Sequence, residues 1–477
     1  MTTRPFHVSP GTPDGARRLL LVSYHFPPGT AVGALRWEMM VRHAASLGWA
    51  ADVITVDPAA LDRADMSRLE SLPPGTRVYG VAPAEHWTKR FVAAAVRVRR
   101  SLRRGSGAAA APSASEGAVG RAELDGSSSR GRELVRTFFA WQYHAEFGGW
   151  ASRVASLGRR LARERAYDAI VSSGPPHLAH EAARRVAAST RAVLAVDFRD
   201  PWSLVERVPE WVASPLWFAL SERHERRVVE AADVVALNTD RSRLALAGLY
   251  PHRAERMLTV MNGTDDVPAP PARHGERFVI AFAGSIYLDR DPRLLFRAAA
   301  RVVRELGLTP HQLGIELIGN VESYGGVPVS RMAREEGVAD FVTTGPPRPR
   351  AEALDFLAGA AMLVSLPQDS DMAIPAKVFE YTQFDAWLLI FAARDSATEL
   401  LLRDSGADVV DPKDLEGTVD AIRGRYLAYA AGERPRALGS DGRFARRTQV
   451  RRFFSAVEEA LERRGTTARP SSAPASG

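Results

Sequence analysis

Residues 17–57, RRLLLVSYHFPPGTAVGALRWEMMVRHAASLGWAADVITVD, open on a short continuous apolar run and pass through a Gly/Pro turn. Apolar positions then repeat every three to four residues before a second apolar run closes the segment. That order predicts strand, turn, amphipathic helix and strand, a βαβ unit. The same signals recur in FVIAFAGSIYLDRDPRLLFRAAARVVRELG followed by GIELIGN, so a second α/β unit begins near Phe278. Two such starts predict two parallel-sheet domains, with MNGTDDVPAPPARHG between them as a hinge and a boundary near residue 268. FVTTGPP, AMLVSLPQ, WLLIFAA and ADVVDP supply further strands of the second domain, taken as 269–435. A terminal helix is expected within 436–464 and a disordered tail over 465–477.

In the first half, YDAIVSSGPPHLAHEAARRVA and AVLAVDFRDPW each read as a strand ending in a polar turn. Ligands of open α/β sheets sit at the carboxyl ends of strands, which makes His177, Arg199 and Asp200 candidates for chemistry. Between about 105 and 132 the composition shifts to Gly, Ala and Ser, which predicts a flexible insertion. Just before it, over 87–104, Trp87, Phe91, Ala95, Val98 and Leu102 recur at helical spacing, with Lys89, Arg90, Arg97, Arg100 and Arg104 on the other face. Such a helix suits an anionic membrane surface, or equally an ordinary place against its own domain.

Length and composition narrow the class. At 477 residues, 45% hydrophobic and 25% charged, the chain has the make-up of a soluble protein of about two domains. No apolar run approaches the roughly 18–20 residues a bilayer span needs, and no apolar signal region precedes the first strand, so a cytoplasmic protein is expected. Without cysteine there is no disulfide, thiolate metal site or Cys nucleophile. The net charge of +7 is carried almost wholly by arginine, lysine occurring only at Lys89, Lys377 and Lys413. The basic residues are scattered and no stacking module is visible, which argues against nucleic acid. P-loop, H-E-x-x-H and G-x-S-x-G motifs are all missing.

The turn FPPGTAVGALRW places Gly29 and Gly33 between a strand and a helix, where missing side chains let backbone amides approach a phosphate or sugar. Glycine there also serves the turn alone. Together with SSGPPHLAH, DFRDPW, VMNGTDD, FAGSIYLDRDPR and IPAKVFEY, in that order over about residues 19 to 455, the chain resembles the family-four retaining glycosyltransferases of the GT-B fold, most closely the bacterial branch that makes surface polysaccharides. The resemblance implies two Rossmann-like domains facing a central cleft, a terminal helix crossing back to the first domain, a UDP- or GDP-sugar held by the second domain and a saccharide or lipid-linked acceptor presented by the first. It also implies retention of anomeric configuration with no cofactor and no metal, so that fixed positive charge stabilises the leaving diphosphate.

On this resemblance Gly284, Arg290, Arg293, Asp371, Lys377 and Glu380 bind the donor. Glu380 would accept hydrogen bonds from ribose hydroxyls, and Lys377 is a lysine in a chain that nearly always chooses arginine. His177 would contact donor sugar or acceptor, and Arg199 and Asp200 would join it. The alternatives are a helix cap at His177, a structural ion pair at Arg199 and Asp200, and a solvated Glu380. The chain departs from the family pattern at three places: Ser285 replaces an expected arginine, Met372 beside Asp371 replaces a glutamate near the donor sugar, and Asp385 and Trp387 replace a Gly-x-Pro. Asp289–Asp291 and Asp369–Asp371 match the D-x-D metal pattern, but the surrounding βα order is wrong for the fold that uses it. Two rival readings remain, a sugar-nucleotide epimerase on the same fold and a catalytically silent scaffold.

Overall fold

The structure is a computed structural model, and it describes residues 4–11, 17–83, 129–204, 208, 210–264, 269–287, 290–367 and 370–467. The chain forms two compact units, Met1–Val260 with Val450–Gly477, and Met261–Gln449.

The first unit is built on strands β1 (His7–Val8), β2 (Arg17–Ser23), β3 (Trp49–Val56), β4 (Arg77–Val81), β5 (Ala169–Gly174), β6 (Val193–Phe198), β7 (Val234–Leu237) and β8 (Met257–Thr259). Its helices are α1 (Val32–Ser46), α2 (Ser129–Glu164), α3 (Leu178–Ala187), α4 (Pro215–Ala231) and α5 (Asp240–Leu249). The sheet order is β1-β4-β3-β2-β5-β6-β7-β8. The pairs from β4 to β8 are parallel, and β1 joins the edge antiparallel. Strand β2 shows why the sheet is covered on both faces. Leu20 and Val22 pack with Trp150, Val154, Leu178 and Val228 of α2, α3 and α4, while Leu19 and Leu21 pack with Trp37 and Met40 of α1. A strand buried on both sides reads as a continuous apolar run, as this one does.

The 36-residue α2 has no counterpart in the sequence reading, which placed a flexible insertion as far as 132. Residues 129–132 are helical, while the rest of that insertion and the basic segment 87–104 lie outside the described residues. Glycines obscure this helix in the sequence. Gly158 is there for packing: a Cβ would stand 2.6 Å from a methyl of Val186 on α3.

The second unit comprises β9 (Phe278–Ser285), β10 (Leu313–Asn320), the hairpin β11 (Ser323–Tyr324) and β12 (Val327–Pro328), β13 (Val342–Gly345), β14 (Met362–Ser365), β15 (Trp387–Phe391) and β16 (Asp408–Val410). Helices α6 (Arg293–Leu306), α7 (Val329–Glu335), α8 (Arg350–Ala358), α9 (Ala376–Tyr381), α10 (Ala397–Leu402) and α11 (Leu415–Ala430) connect them. The main sheet, β13-β10-β9-β14-β15-β16, is parallel throughout, the doubly wound order of a Rossmann-like domain. Strand order reverses at β2/β5 in the first unit and at β9/β14 in the second, and ligands of such sheets sit at that point.

The units divide at Val260/Met261, eight residues before the boundary read from the sequence. The start of the supposed hinge is held inside the second unit: the Met261 amide donates to the Gln449 side chain, the Thr264 amide donates to the Phe444 carbonyl at 2.6 Å and the Arg446 amide to the Thr264 carbonyl at 2.9 Å. The last helix, α12 (Arg446–Thr467), starts ten residues later than the segment assigned to it and takes in residues 465–467 of the expected tail. Its Val450, Phe453, Phe454, Val457 and Ala460 are buried in the first unit, with Phe453 5.6 Å from Trp37 and Phe454 5.3 Å from Trp49. Each buried phenylalanine contributes about 1.5–3 kcal/mol, so the C-terminal helix is part of that core. Among the described residues no helix is long and apolar enough to cross a membrane.

Candidate functional site

In the first unit the carboxyl ends of β5 and β6 bring most of the candidates together. Strand β5 ends at Gly174, and the peptide bonds Gly174–Pro175 and Pro175–Pro176 are both cis. His177 then stands at the N-cap of α3 without making a side-chain capping bond, so it is not there to cap the helix. Its ring stacks on Trp202 at 5.1 Å and hydrogen-bonds the Pro201 backbone, while Nδ1 is buried with no partner. Burial, with nearby Arg199 adding, holds its pKa down at about 3. His180, one turn on, is fully buried and shares a 2.9 Å hydrogen bond between Nδ1 and Ser172 Oγ. Burial drives its pKa well below the usual value too. A Cβ on Gly174 would come within 2.5 Å of His180 Nε2 and 2.9 Å of His177 Nδ1, so glycine is required between the two rings.

Arg199 spans the same place. Its Nε donates to the Gly174 carbonyl at 3.0 Å and its Nη2 to the Pro175 carbonyl at 2.6 Å. Its Nη1 lies 1.9 Å from where a Cβ of Gly33 would be. Gly33 therefore gives room to a guanidinium at the start of α1, which is a different use from approach to a phosphate. Asp200 is exposed beside it. Gly29 is placed apart: its amide closes a turn on the Phe26 carbonyl at 3.0 Å and its own carbonyl accepts from Arg68 at 2.6 Å.

The buried ion pair of this region involves Asp197 and Arg36, which the sequence reading passed over. Asp197, fully buried, accepts from Arg36 Nε at 3.0 Å and Nη2 at 2.8 Å, from Trp37 Nε1 at 2.7 Å and from Ser173 Oγ at 3.1 Å. The first aspartate of DFRDPW thus ties β6 to α1, and the second, Asp200, keeps surface exposure while desolvation by the surrounding protein, opposed by Arg199, raises its carboxyl pKa. His25, after β2, was missed as well; burial and Arg199 hold its pKa at about 4.

Beyond Trp202 the rings continue, with His224 stacked at 6.2 Å and His144 on His224 at 6.2 Å. Burial lowers His144 to about 4 and lowers His224 as well. Neutral in the fold and protonated near 6.5 when unfolded, His144, His177 and His180 contribute stability that is complete above about pH 6.5 and is lost as the pH falls toward 4. The expected loss is about 1.4 kcal/mol per pH unit for each group below about pH 6. Urea unfolding followed by tryptophan fluorescence between about pH 7 and 5 checks this, and a midpoint that stays flat refutes it.

In the second unit the carboxyl end of β9 gathers Gly284, Arg290, Lys377 and Glu380. Lys377, the second residue of α9, lies with Nζ 4.1 Å from the centre of the Phe282 ring and 3.4 Å from the Ala283 carbonyl. Burial, joined by the charge of Arg290 and opposed by Glu380, lowers its pKa to about 7. A Cβ on Gly284 would lie 2.5 Å from Nζ, and a Cβ on Gly319, the registered partner of Gly284 on β10, would lie 1.9 Å from the Gly284 carbonyl. Gly284 thus leaves room for the ammonium, and Gly319 leaves room for the Gly284 backbone. Arg290 folds back so that Nη1 donates to the Ser285 carbonyl at 3.1 Å while its guanidinium covers Tyr287 at 4.3 Å. A cation thus reaches position 285, where the sequence resemblance leads one to expect an arginine and the chain has serine. Ser285 Oγ itself accepts from Asn320 at 3.0 Å.

Three candidates stand differently. Arg293 opens α6 and pairs with Asp291 at 2.7 Å. Glu380 pairs with exposed Arg350 at 2.9 Å, a contact of small net strength. The backbone carbonyl of Asp371 accepts from the Ala397 amide at 2.7 Å. Asp385, another departure, accepts from the Ala437 amide at 2.9 Å, a structural use. Among the described residues no group of three His, Cys, Asp or Glu side chains could hold a metal; Asp289 and Asp369 lie outside them.

No protein-family model matches the chain. It is similar to D-inositol 3-phosphate glycosyltransferases of Kineococcus radiotolerans (32% identical over 161 residues, 31% of this chain and 37% of that protein) and Kribbella flavida (30% over 203 residues, 39% and 48%). The matches thus span about half of those proteins or less. Among solved structures it is similar to TarM (TM-score 0.56, 10% identity, 93% of this chain and 99% of that one) and to Anabaena Alr3699/HepE in complex with UDP and glucose (TM-score 0.51, 13% identity, 93% and 99%).

Proposed function

We propose that this chain, which has the GT-B fold of two Rossmann-like domains and sequence relatives among the D-inositol 3-phosphate glycosyltransferases, transfers a sugar from a nucleotide-sugar donor to a hydroxyl of a saccharide or lipid-linked acceptor. The proposed transfer retains anomeric configuration and uses no metal. The observation that carries this reading is the pair of cations, Lys377 and Arg290, converging on the glycine-lined end of β9. A half-buried ammonium and a guanidinium fixed in place give a diphosphate its counter-charge before it arrives, and preorganised charge is worth most at the moment the leaving group develops its own.

In this proposal Glu380 leaves Arg350 to accept from the ribose, and Arg293 and Asp371 border the donor. His177, Arg199 and Asp200 sit on the acceptor side, where the neutral His177 ring accepts or donates a hydrogen bond without carrying charge. UDP-sugars are the first donors to try, HepE having been solved with UDP and glucose. Leu134, Phe138 and Trp141, exposed on α2, together with the basic pattern of 87–104, support an acceptor at an anionic membrane surface.

A thermal-shift screen against UDP-, GDP-, ADP- and dTDP-sugars tests the donor, since a ligand of the folded state raises its melting temperature. Product analysis with and without acceptor then separates transfer from epimerisation, which converts donor alone. No stabilisation by any of the four would overturn the reading in favour of a silent scaffold.

Lys377 gives the donor site a pH signature. A diphosphate favours the protonated amine, so binding takes up a proton wherever free Lys377 is neutral. Affinity for UDP is expected to be full below about pH 7 and to weaken above it by up to about tenfold per pH unit. Calorimetry between about pH 6.5 and 8.5 measures the slope. Lys377→Met should remove it, and a slope unchanged in that variant assigns the titration to another group.

A further inference from the structure

We propose that the first unit carries a second binding site, for a phosphate group, at the end of its sheet opposite His177, with Arg18, Arg77 and Arg165 as its cationic residues. A cavity of about 140 Å3 lies there, lined by these three arginines, Asp52, Gly75 and Tyr167 among others. Its size is well above the roughly 10–15 Å3 that one water needs.

The sheet puts these groups together. Asp52 and Arg77 are registered partners on the parallel strands β3 and β4, and Leu20 of β2 is the partner of Asp52 on its other side. Arg18, two residues before Leu20, shares its face of the sheet. That face is covered by α2, and Arg165 follows the last residue of that helix. All of these positions are at the amino ends of the parallel strands, whereas His177 and Arg199 follow the carboxyl ends of β5 and β6.

The charges do not satisfy one another. Three arginines and one aspartate line the cavity, and the Asp168 carboxylate beside it accepts from the Arg18 amide at 2.7 Å, so cationic residues outnumber the carboxylates there. Asp52 takes its short hydrogen bond from the Tyr167 hydroxyl, at 2.6 Å, and its one ion pair among the described residues is with Arg165 at 3.7 Å. Arg77 Nη1 is buried with no hydrogen-bond partner. The carbonyl end of α2 favours a cation at Arg165, but Arg18 and Arg77 come from strands and answer to no such dipole.

A phosphate monoester near neutrality carries about −1.5 to −2 charge, of the sign that this arginine-rich lining attracts. Guanidinium forks bind phosphate oxygens in pairs. Asp52 and Tyr167 would then meet a hydroxyl of whatever the phosphate is attached to. The site is independent of the proposed donor site, which belongs to the second unit.

The test is calorimetry on the full chain with inorganic phosphate and, separately, with glucose 6-phosphate, at constant ionic strength, comparing the native chain with Arg18→Gln and Arg165→Gln. Arg18 is exposed and the Arg165 side chain partly so, so both variants should keep the fold, which an unchanged melting temperature without phosphate verifies. The expected result is saturable binding weakened about tenfold to a hundredfold in each variant. Tighter binding of glucose 6-phosphate than of phosphate identifies a phosphorylated small molecule as the ligand, and equal binding identifies free phosphate. UDP binding should be unaltered in both variants. Phosphate binding that is absent, or equal in the native chain and both variants, overturns the proposal.

Discussion

Replacing Asp197 by alanine is expected to destabilise the first unit by about 3–5 kcal/mol, the usual result of removing one partner from a buried ion pair. The change strands the Arg36 guanidinium, whose side chain is only 5% exposed, and leaves the Trp37 indole N–H without its acceptor. The Val260 carbonyl, which also accepts from Arg36 at 2.8 Å, neutralises no charge. Asp197→Leu combined with Arg36→Met should lose much less, because an apolar pair of similar volume removes the stranded charge with its partner. The chain has two compact units and need not unfold in one step. Native-state hydrogen exchange at β6 and α1 is therefore the suitable measurement. Equal losses in the single and double variants would show that the pair contributes by shape alone.

Asp197 also marks how far the sequence could be read. The βαβ order, the two doubly wound sheets and nearly every strand of the second unit follow from apolar runs and their spacing, because a strand covered on both faces leaves a continuous apolar signal. DFRDPW was recognisable as a motif, but nothing in one dimension says which of two aspartates turns inward. Asp197 lies inside β6, which is buried on both faces, and Asp200 lies beyond its end; the strand aims Asp197 at Arg36, a residue 161 positions earlier. An arginine just after the apolar first turn of α1 was the available clue. In the same way Gly33 was legible as a required glycine while its reason was not: the atom it accommodates belongs to Arg199.

The second unit shows the same division. Gly284 and Gly319 are separately unremarkable at strand ends, and only the parallel register of β9 and β10 sets them side by side. The departures also change meaning with distance. Serine at 285 looks like a lost cation until Arg290 is seen folding back onto its carbonyl, and Asp385 looks like a damaged motif until its bond to the Ala437 amide appears. Helix α2 escaped the periodicity because Gly158, a poor helix former, is required by the closeness of Val186.

If Lys377 and Arg290 stabilise the leaving diphosphate as proposed, transfer should survive EDTA, and Lys377→Ala should lower turnover roughly a hundredfold or more, the effect of losing about 2–4 kcal/mol of charged transition-state contact. Lys377→Arg should not restore it. Nζ lies 4.1 Å from the centre of the Phe282 ring and close against Gly284, a setting that suits a compact ammonium better than a broad planar fork. Glu380→Gln is expected to act differently, raising KM for the donor with a smaller change in kcat, because a ribose contact is the same in ground and transition states. These outcomes separate charge at the leaving group from mere donor affinity, and steady-state kinetics on purified variants reads both. Activity abolished by EDTA and restored by manganese would refute the arrangement. The leaving-group charge would then belong to a cation, and Lys377→Ala would be expected to show only the loss of a packing contact on Phe282.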